Sequence, residues 1–369
     1  MNASWAPLMR RALELAERGR YGASPNPMVG AVLLTRDGEG AATGAHLACG
    51  GPHAEVAALA AGAAEAVGGT MVVTLEPCAH QGRTPPCVDA ILAAGIARVV
   101  IGTRDPNPAV NGRGVEMLRA AGVEVIEGVE EDACRAANRR FFHWVATGRP
   151  FVTLKMAMTL DGKLAARGGR SRWITSEASR QEGYALREEF DSLLVGVNTV
   201  LADDPHLTRR LGLNPNPRLV RAVLDTALRT PPDCTLLERD PEDVVLFCRE
   251  DAAAERRREL ERRGARIVEV GVDEHGRCDL RHVLRWMGSH EISSALVEGG
   301  GEVHWSFLRE GLAQRVHAFV APLVLGGREA TPSVGGAGFG SPQEAVKLRF
   351  VDVRRLAGDL VLEAEVERV

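Results

Sequence analysis

A chain of 369 residues is too long for one hydrophobic core of ordinary size, so two domains are expected. It is 45% hydrophobic and 25% charged, with a formal net charge of -4, which excludes a disordered or fibrous protein and gives no global basic field for nucleic acid or an anionic membrane. No apolar run is long enough to span a bilayer, and seven scattered cysteines without an export signal point to reduced thiols in the cytoplasm.

The N-terminal stretch MNASWAPLMRRALELAERGR alternates charged and apolar residues. It predicts an amphipathic helix with Leu8, Ala12, Leu15 and Ala16 on one face, rather than a secretory signal or an anchor. Strand and helix patterns then alternate. MVGAVLL, TMVVTLE, ARVVIGT and VEVIEG read as strands; AEVAALAAGAAEAV, CVDAILAAG and GVEMLRAAG read as helices, the last two ending at Gly95 and Gly122. Such alternation predicts α/β layers, with helices covering a sheet. An apolar helix breaks at Thr147-Gly148-Arg149-Pro150, which sets the expected domains at 1–147 and 148–369. Beyond it FVTLKMAMTLDGK, FDSLLVGVNTVLADDP, LVRAVLDT, VVLFC, RIVEV, SSALVEGGG, VHAFVAPLVLGG and LVLEAEV predict a second α/β unit with its own sheet. Within this unit DAAAERRRELERRG is a solvated helix, and GGREATPSVGGAGFGSP is the longest turn-rich segment.

His53, Cys78 and Cys87 offer the imidazole and thiolates that zinc prefers, and three protein ligands leave a fourth tetrahedral position open for water. Zinc lowers the pKa of such a water toward neutrality, and a carboxylate must then carry a proton to the leaving group. Glu55 is the candidate. Residues two apart do not face each other within a helix, so His53 and Glu55 share a site only if they straddle a helix start, which Gly50-Gly51-Pro52 marks. Pro85-Pro86 likewise puts Cys87 at a helix N-terminus, which favours a thiolate. Glu76, beside Cys78, reads as an ordinary surface acid.

The order H-A-E, P-C, C matches zinc deaminases of nucleobases, except that eight residues separate the cysteines here instead of two. The longer loop carries His80 and Arg83, either a solvated pair or a phosphate-binding one. In the second half no G-x-G-x-x-G opens a helix after a strand. LVEGGGEVHWSFLREG places glycines between a strand and an amphipathic helix, either as a tight turn or as a backbone-amide phosphate site.

SPNPMVGAVL, PHAEV, TLEPCAHQGRTPPC and RDPNPAVNGRG resemble the deaminase half of the bifunctional RibD family of riboflavin biosynthesis. LKMAMTLDGKLA, SRWITS, VGVNTVLADDPHLT and VEGGG resemble its reductase half, so the resemblance covers essentially the whole chain. It implies an N-terminal cytidine-deaminase-like α/β/α zinc domain and a C-terminal dihydrofolate-reductase-like α/β domain. It also implies two reactions: hydrolytic deamination of 2,5-diamino-6-(5-phosphoribosylamino)pyrimidin-4(3H)-one, then reduction of the ribosyl side chain to ribityl with NADPH. Carried onto this chain, it puts Zn2+ on His53, Cys78 and Cys87, the proton shuttle on Glu55, and the deaminase substrate on Asn26, His46, His80 and Arg83. NADPH falls at Ala157, Trp173, Thr199, Asp203, Thr226, Gly299, Gly300 and Gly301. The phosphorylated reductase substrate falls at Ser171, Arg187, Leu207, Arg210 and Glu298. Without the resemblance, Asn26 is a turn former, Trp173 a core residue, Arg187 a solvated helix charge, and Asp203-Asp204-Pro205 a turn. No placed acid or base stands out for hydride transfer, which fits a reductase whose chemistry comes from its cofactor.

Two other classes stay open. A nucleotide or tRNA deaminase with an accessory domain would be expected to carry P-C-x-x-C and, on RNA, a basic face. A non-catalytic zinc scaffold would be indifferent to Glu55→Gln. The expected partner is a small phosphorylated pyrimidine, with neither nucleic acid nor membrane, and a homodimer is expected only because such assemblies are common.

Overall fold

The structure is a computed structural model, and residues 5–81, 85–107 and 110–367 are described. The chain divides into two compact units, one of residues up to Gly148 together with Asn214–Asn216, the other of the remainder from Arg149. No helix of the described residues is long and apolar enough to cross a membrane.

In the first unit α1 (Ala6–Ala16) precedes β1 (Gly30–Leu34) and β2 (Gly40–Ala45). Then come α2 (Ala54–Gly62), β3 (Thr70–Leu75), α3 (Cys87–Ala93), β4 (Arg98–Thr103), α4 (Arg113–Ala120), β5 (Glu124–Ile126), α5 (Glu131–Ala137) and α6 (Arg139–Thr147). The sheet runs β2-β1-β3-β4-β5, antiparallel around β1 and parallel from β3 to β5. Successive side chains of a strand point to opposite faces. Leu33, Met71, Val73 and Ile101 therefore pack with Ala54 and Ala58 of α2 and Val88 and Ile91 of α3. Val32, Leu34, Val72 and Val100 pack on the other side, with Met9, Ala12 and Leu15 of α1 and Cys134 of α5. The layering is α/β/α. The buried stripe of α1 is Met9, Ala12, Leu15 and Ala16; Leu8, expected in it, is half-buried.

In the second unit the elements are β6 (Phe151–Thr159), β7 (Lys163–Ala165), α7 (Glu177–Glu188), β8 (Ser192–Gly196), α8 (Val197–Asp203), β9 (Val220–Leu224), β10 (Val244–Cys248) and α9 (Ala254–Arg262). They continue with β11 (Arg266–Glu269), α10 (Leu280–Ser289), β12 (Ser294–Gly299), α11 (Gly301–Arg309), β13 (Arg315–Ala321), β14 (Thr331–Pro332), β15 (Leu348–Leu356) and β16 (Asp359–Val366). Among the described residues nine strands form one sheet, ordered β11-β10-β9-β8-β12-β6-β13-β16-β15. It is parallel from β11 to β13 and antiparallel beyond. Every residue of β8 and β10 is buried, as parallel strands covered on both faces require. Leu194, Ala222, Phe247 and Val297 meet Val283 and Met287 of α10 and Phe307 of α11 on one face. Leu193, Val195, Val223 and Leu246 meet Val200 of α8 and Leu260 of α9 on the other. In such sheets the crevice outside the carboxyl ends of the strands is the natural ligand site.

Helix α2 lies on β2 at Gly44, where a Cβ would come within 2.0 Å of the Ala54 carbonyl oxygen. Gly44→Ala must therefore push the start of α2 off the sheet, and is expected to cost about 1–3 kcal/mol in chemical denaturation. An unchanged midpoint would contradict that close approach.

Candidate active site

His53 is the N-cap residue of α2, in extended conformation, and Glu55 sits in the first turn, so the two straddle the helix start as the sequence predicts. Cys87 begins α3 directly after Pro86. His53 Nδ1 lies 3.1 Å from Cys87 Sγ and 3.6 Å from Cys78 Sγ, and the three ligand atoms are all within 4.8 Å of one another. Tetrahedral zinc, with Zn–S near 2.3 Å and Zn–N near 2.0 Å, needs such atoms roughly 3.6–3.8 Å apart, so the trio fits that ion. The backbone N–H of Cys87 points at Cys78 Sγ, 3.3 Å away. The start of α3 thus serves the Cys78 sulfur, where the sequence points to Cys87 alone. The hydrogen bond from the Cys87 thiol pushes Cys78 down in pKa, and the same bond with burial pushes Cys87 up. Between themselves the sulfurs favour one negative charge; a divalent cation is what allows both to ionise.

Glu55 is 3% exposed, and burial pushes its carboxyl up to about 7. Asn26 Nδ2 lies 3.1 Å from His46 Nε2, and His46 Nδ1 lies 2.9 Å from the Pro52 carbonyl oxygen. The segment carrying Asn26 is pinned by Asn138, which accepts the Met28 N–H at 2.7 Å and donates to its carbonyl at 2.8 Å. His80 is exposed in the loop after Cys78, and Arg83 lies outside the described residues.

Glu76 corrects the surface reading, being 3% exposed. Its Oε2 accepts the backbone N–H groups of Asp105 at 3.3 Å and Gly112 at 3.0 Å. Its Oε1 accepts those of Gly114 at 3.0 Å and Val115 at 3.3 Å. One carboxylate thereby fastens the start of α4 to the Cys78 loop. Gly112-Arg113-Gly114 was the available signal: a Cβ at Gly114 would lie 2.2 Å from the Pro77 carbonyl oxygen. Asp105, held in the same place, is pushed up to about 6 by burial.

In the second unit Arg187 of α7 forks onto Glu298 of β12, Nε to Oε1 at 2.5 Å and Nη2 to Oε2 at 2.8 Å, with their side chains 12% and 8% exposed. Arg187 is therefore not a solvated helix charge. Lys155 of β6, absent from the sequence-based candidates, puts Nζ 3.8 Å from Glu298. Burial alone would raise the Glu298 carboxyl; the Arg187 and Lys155 charges outweigh it and hold the group at about 2. Arg187 Nη1 also donates to the Thr208 carbonyl at 3.2 Å, next to Leu207. Leu207 is 3% exposed. Arg209 donates to the carbonyls of Phe190 at 2.7 Å and Arg218 at 3.1 Å, whereas Arg210 is exposed and reaches Tyr184 Oη at 2.8 Å. Arg210 is accordingly the member of the pair at the surface. Ser171 is half-buried.

A cavity of about 430 Å3 opens at the carboxyl ends of β8, β9 and β12, lined by Thr226, Gly300 and Gly301 with Val197, Arg229 and Arg277. Buried Asp225 accepts the backbone N–H groups of Arg229 at 2.8 Å and Thr230 at 2.7 Å, which fixes the turn that carries Thr226 and Arg229. Gly299 has φ +131°, a conformation that side chains resist; a Cβ at Gly300 would meet only Thr199 Oγ1 within 4 Å, at 3.9 Å. A Cβ at Gly301 would lie 2.4 Å from the Pro332 carbonyl oxygen. Close backbone access at the start of a helix is what a dinucleotide pyrophosphate needs, so these glycines fit such a cofactor. Ala157, Trp173, Thr199, Asp203 and Gly299 are not among the lining residues. Trp173 is no core residue: it is 65% exposed, with the Arg180 guanidinium 4.5 Å from its ring centroid.

Residues 4–103 match the cytidine and deoxycytidylate deaminase zinc-binding region, and residues 150–362 match the RibD C-terminal domain. Fold and sites together define a zinc-dependent deaminase joined to a reductase. The chain is 42% identical over 354 residues to the riboflavin biosynthesis protein RibD of Aquifex aeolicus, covering 96% of each chain. It is 37% identical over 366 residues to RibD of Escherichia coli, covering 96% of this chain and 97% of that one. RibD of Acinetobacter baumannii matches with TM-score 0.89 at 34% identity over 100% of both chains. A Thermotoga maritima diaminohydroxyphosphoribosylaminopyrimidine deaminase/5-amino-6-(5-phosphoribosylamino)uracil reductase matches with TM-score 0.84 at 36% identity over 99% of both. The chain belongs to the RibD family, the bifunctional deaminase–reductases of riboflavin biosynthesis.

Glu76→Ala leaves four buried N–H donors without their acceptor and is expected to cost at least about 3 kcal/mol in chemical denaturation. A smaller loss would mean that water replaces the carboxylate. Glu298 binds its proton less tightly folded than unfolded, so its contribution to stability is complete above about pH 4.5 and is lost as pH falls toward about 2. Arg187→Met, which leaves the buried carboxylate with Lys155 alone, is expected to cost about 3 kcal/mol at pH 7. That gap should narrow over the same acid range in urea titrations; a gap independent of pH would contradict the charge argument.

Proposed function

We propose that residues 1–147 deaminate 2,5-diamino-6-(5-phosphoribosylamino)pyrimidin-4(3H)-one and that residues 148–369 then reduce the ribosyl side chain to ribityl with NADPH. The observation that carries the first step is Glu55, buried beside His53, Cys78 and Cys87, where burial pushes its carboxyl up to about 7. In this reading His53, Cys78 and Cys87 hold the zinc, which supplies a water made acidic enough to serve as nucleophile near pH 7. Glu55 would take a proton from the attacking water and return one to the departing amine, which would leave as ammonia. Asn26 holds the pyrimidine, and His80 with Arg83 serves the phosphate end.

For the second step NADPH supplies the hydride. Gly299, Gly300 and Gly301 bring backbone to the dinucleotide, with Thr199 and Thr226 beside them, and Ala157, Trp173 and Asp203 complete its binding in this reading. Arg187, Arg210, Ser171 and the Leu207 backbone hold the phosphorylated sugar against it. Glu298 keeps Arg187 in place through the fork already described.

A cytoplasmic location is supported by the seven cysteines, none of which is in a disulfide. A homodimer is supported by the edge strand β15, which exposes Phe350 at 61% and Val353 at 55%. Edge strands of this kind are normally covered.

Glu55→Gln should lower ammonia release by about 10²–10⁴-fold with zinc still bound one per chain, and leave reduction of the already deaminated substrate intact. Unchanged ammonia release would favour a scaffold role for the metal. Loss of zinc together with activity would return Glu55 to a structural part.

A further inference from the structure

We propose that His46 is a positioning residue, which fixes the Asn26 amide with its oxygen toward the substrate so that Asn26 recognises an N–H donor of the pyrimidine. The inference rests on the deaminase reading of this site, and it gives His46 a different part from the direct contact that family resemblance implies.

Three observations carry it. His46 is 2% exposed, which leaves its ring no face for a small molecule. Its Nδ1 lies 2.9 Å from the Pro52 carbonyl oxygen, an atom that can only accept, so the ring proton sits on Nδ1. The atom facing Nε2 at 3.1 Å is the Asn26 amide nitrogen, which only donates, so Nε2 is bare and accepts.

The direction of the whole chain follows from Pro52. Its carbonyl accepts from Nδ1, Nε2 accepts from the Asn26 amide nitrogen, and the Asn26 oxygen is left as an acceptor on a half-buried side chain. Recognition at that oxygen selects a ring N–H or an exocyclic amine and disfavours a ring nitrogen lone pair or a carbonyl, either of which would need the amide flipped. Because Pro52 immediately precedes His53, the same chain joins the substrate-facing amide to the metal-binding turn.

The test is a double-mutant cycle on kcat/KM for deamination, with His46→Phe, Asn26→Ala and the double variant. Phenylalanine keeps a ring against His53 and removes both hydrogen bonds. Each single change is expected to lower kcat/KM by about 10- to 100-fold, with zinc still bound one per chain. The double variant should fall no further than Asn26→Ala alone, because His46 acts through Asn26. A double effect equal to the product of the single ones would overturn the proposal. Long-range 1H–15N spectra of the wild-type imidazoles give a readout that needs no turnover. They should show His46 protonated at Nδ1 and bare at Nε2; a proton on Nε2 would sink the inference even if deamination proceeds. The Nδ1 tautomer in a protein that releases no ammonia would instead leave the positioning intact and refute the deaminase reading.

Discussion

Two thiols and an imidazole can gather within zinc-bonding distance only if the chain segments that carry them are held at one point, and the sheet of the first unit does that. Cys78 leaves the end of β3, Cys87 opens α3 and His53 caps α2, so one strand end and two helix starts converge. Glycine at position 44 lets α2 lie against β2 closely enough to bring His53 in. The Cys87 N–H then ties the two cysteine segments together through the Cys78 sulfur. Glu55 follows without further design, since one residue past a helix start turns it inward from the same turn that presents His53. Burial does the rest by bringing its carboxyl near neutrality.

The second unit meets the same need, a defined charge in a poorly hydrated place, by different means. Its charges are paired side chains across neighbouring elements: Glu298 from β12, Arg187 from α7 and Lys155 from β6. A buried carboxylate is tolerated there because two cations answer it, and the cations are held in one geometry because the carboxylate forks onto one of them. Beside this group the β12–α11 turn offers bare backbone at the carboxyl edge of a parallel sheet. One site thus collects its charge around a metal, and the other prepares it in the protein.

Local patterns were legible in the sequence, and non-local pairings were not. The strand and helix alternation of the first unit, the helix start between His53 and Glu55, and the helix at Cys87 each depend on a few consecutive residues. The stripe on α1 was placed almost correctly, with Met9 in the position expected of Leu8; the two sit three and four residues before Ala12, so both border the same face. Glu76 escaped because its partners lie from Asp105 to Val115, and an acid that accepts backbone N–H groups has no signature of its own. Lys155 and the burial of Arg187 escaped for the same reason, since Lys155 reaches Glu298 only because β6 lies beside β12, and Arg187 reaches it from α7, more than a hundred residues away in the chain. Trp173 went the other way, its size suggesting core while its segment lies at the surface.

Two activities in one chain, the first dependent on zinc and required before the second, can be separated by removing the metal. NADPH oxidation would be followed with chelator-treated protein given either the diaminopyrimidine ribosylamino phosphate or its deaminated counterpart. The expected result is no oxidation with the first compound, undiminished oxidation with the second, and recovery with the first once zinc is returned. Equal oxidation of both by the stripped protein would contradict the required order, and no oxidation of either by the zinc-loaded protein would contradict the reductase itself.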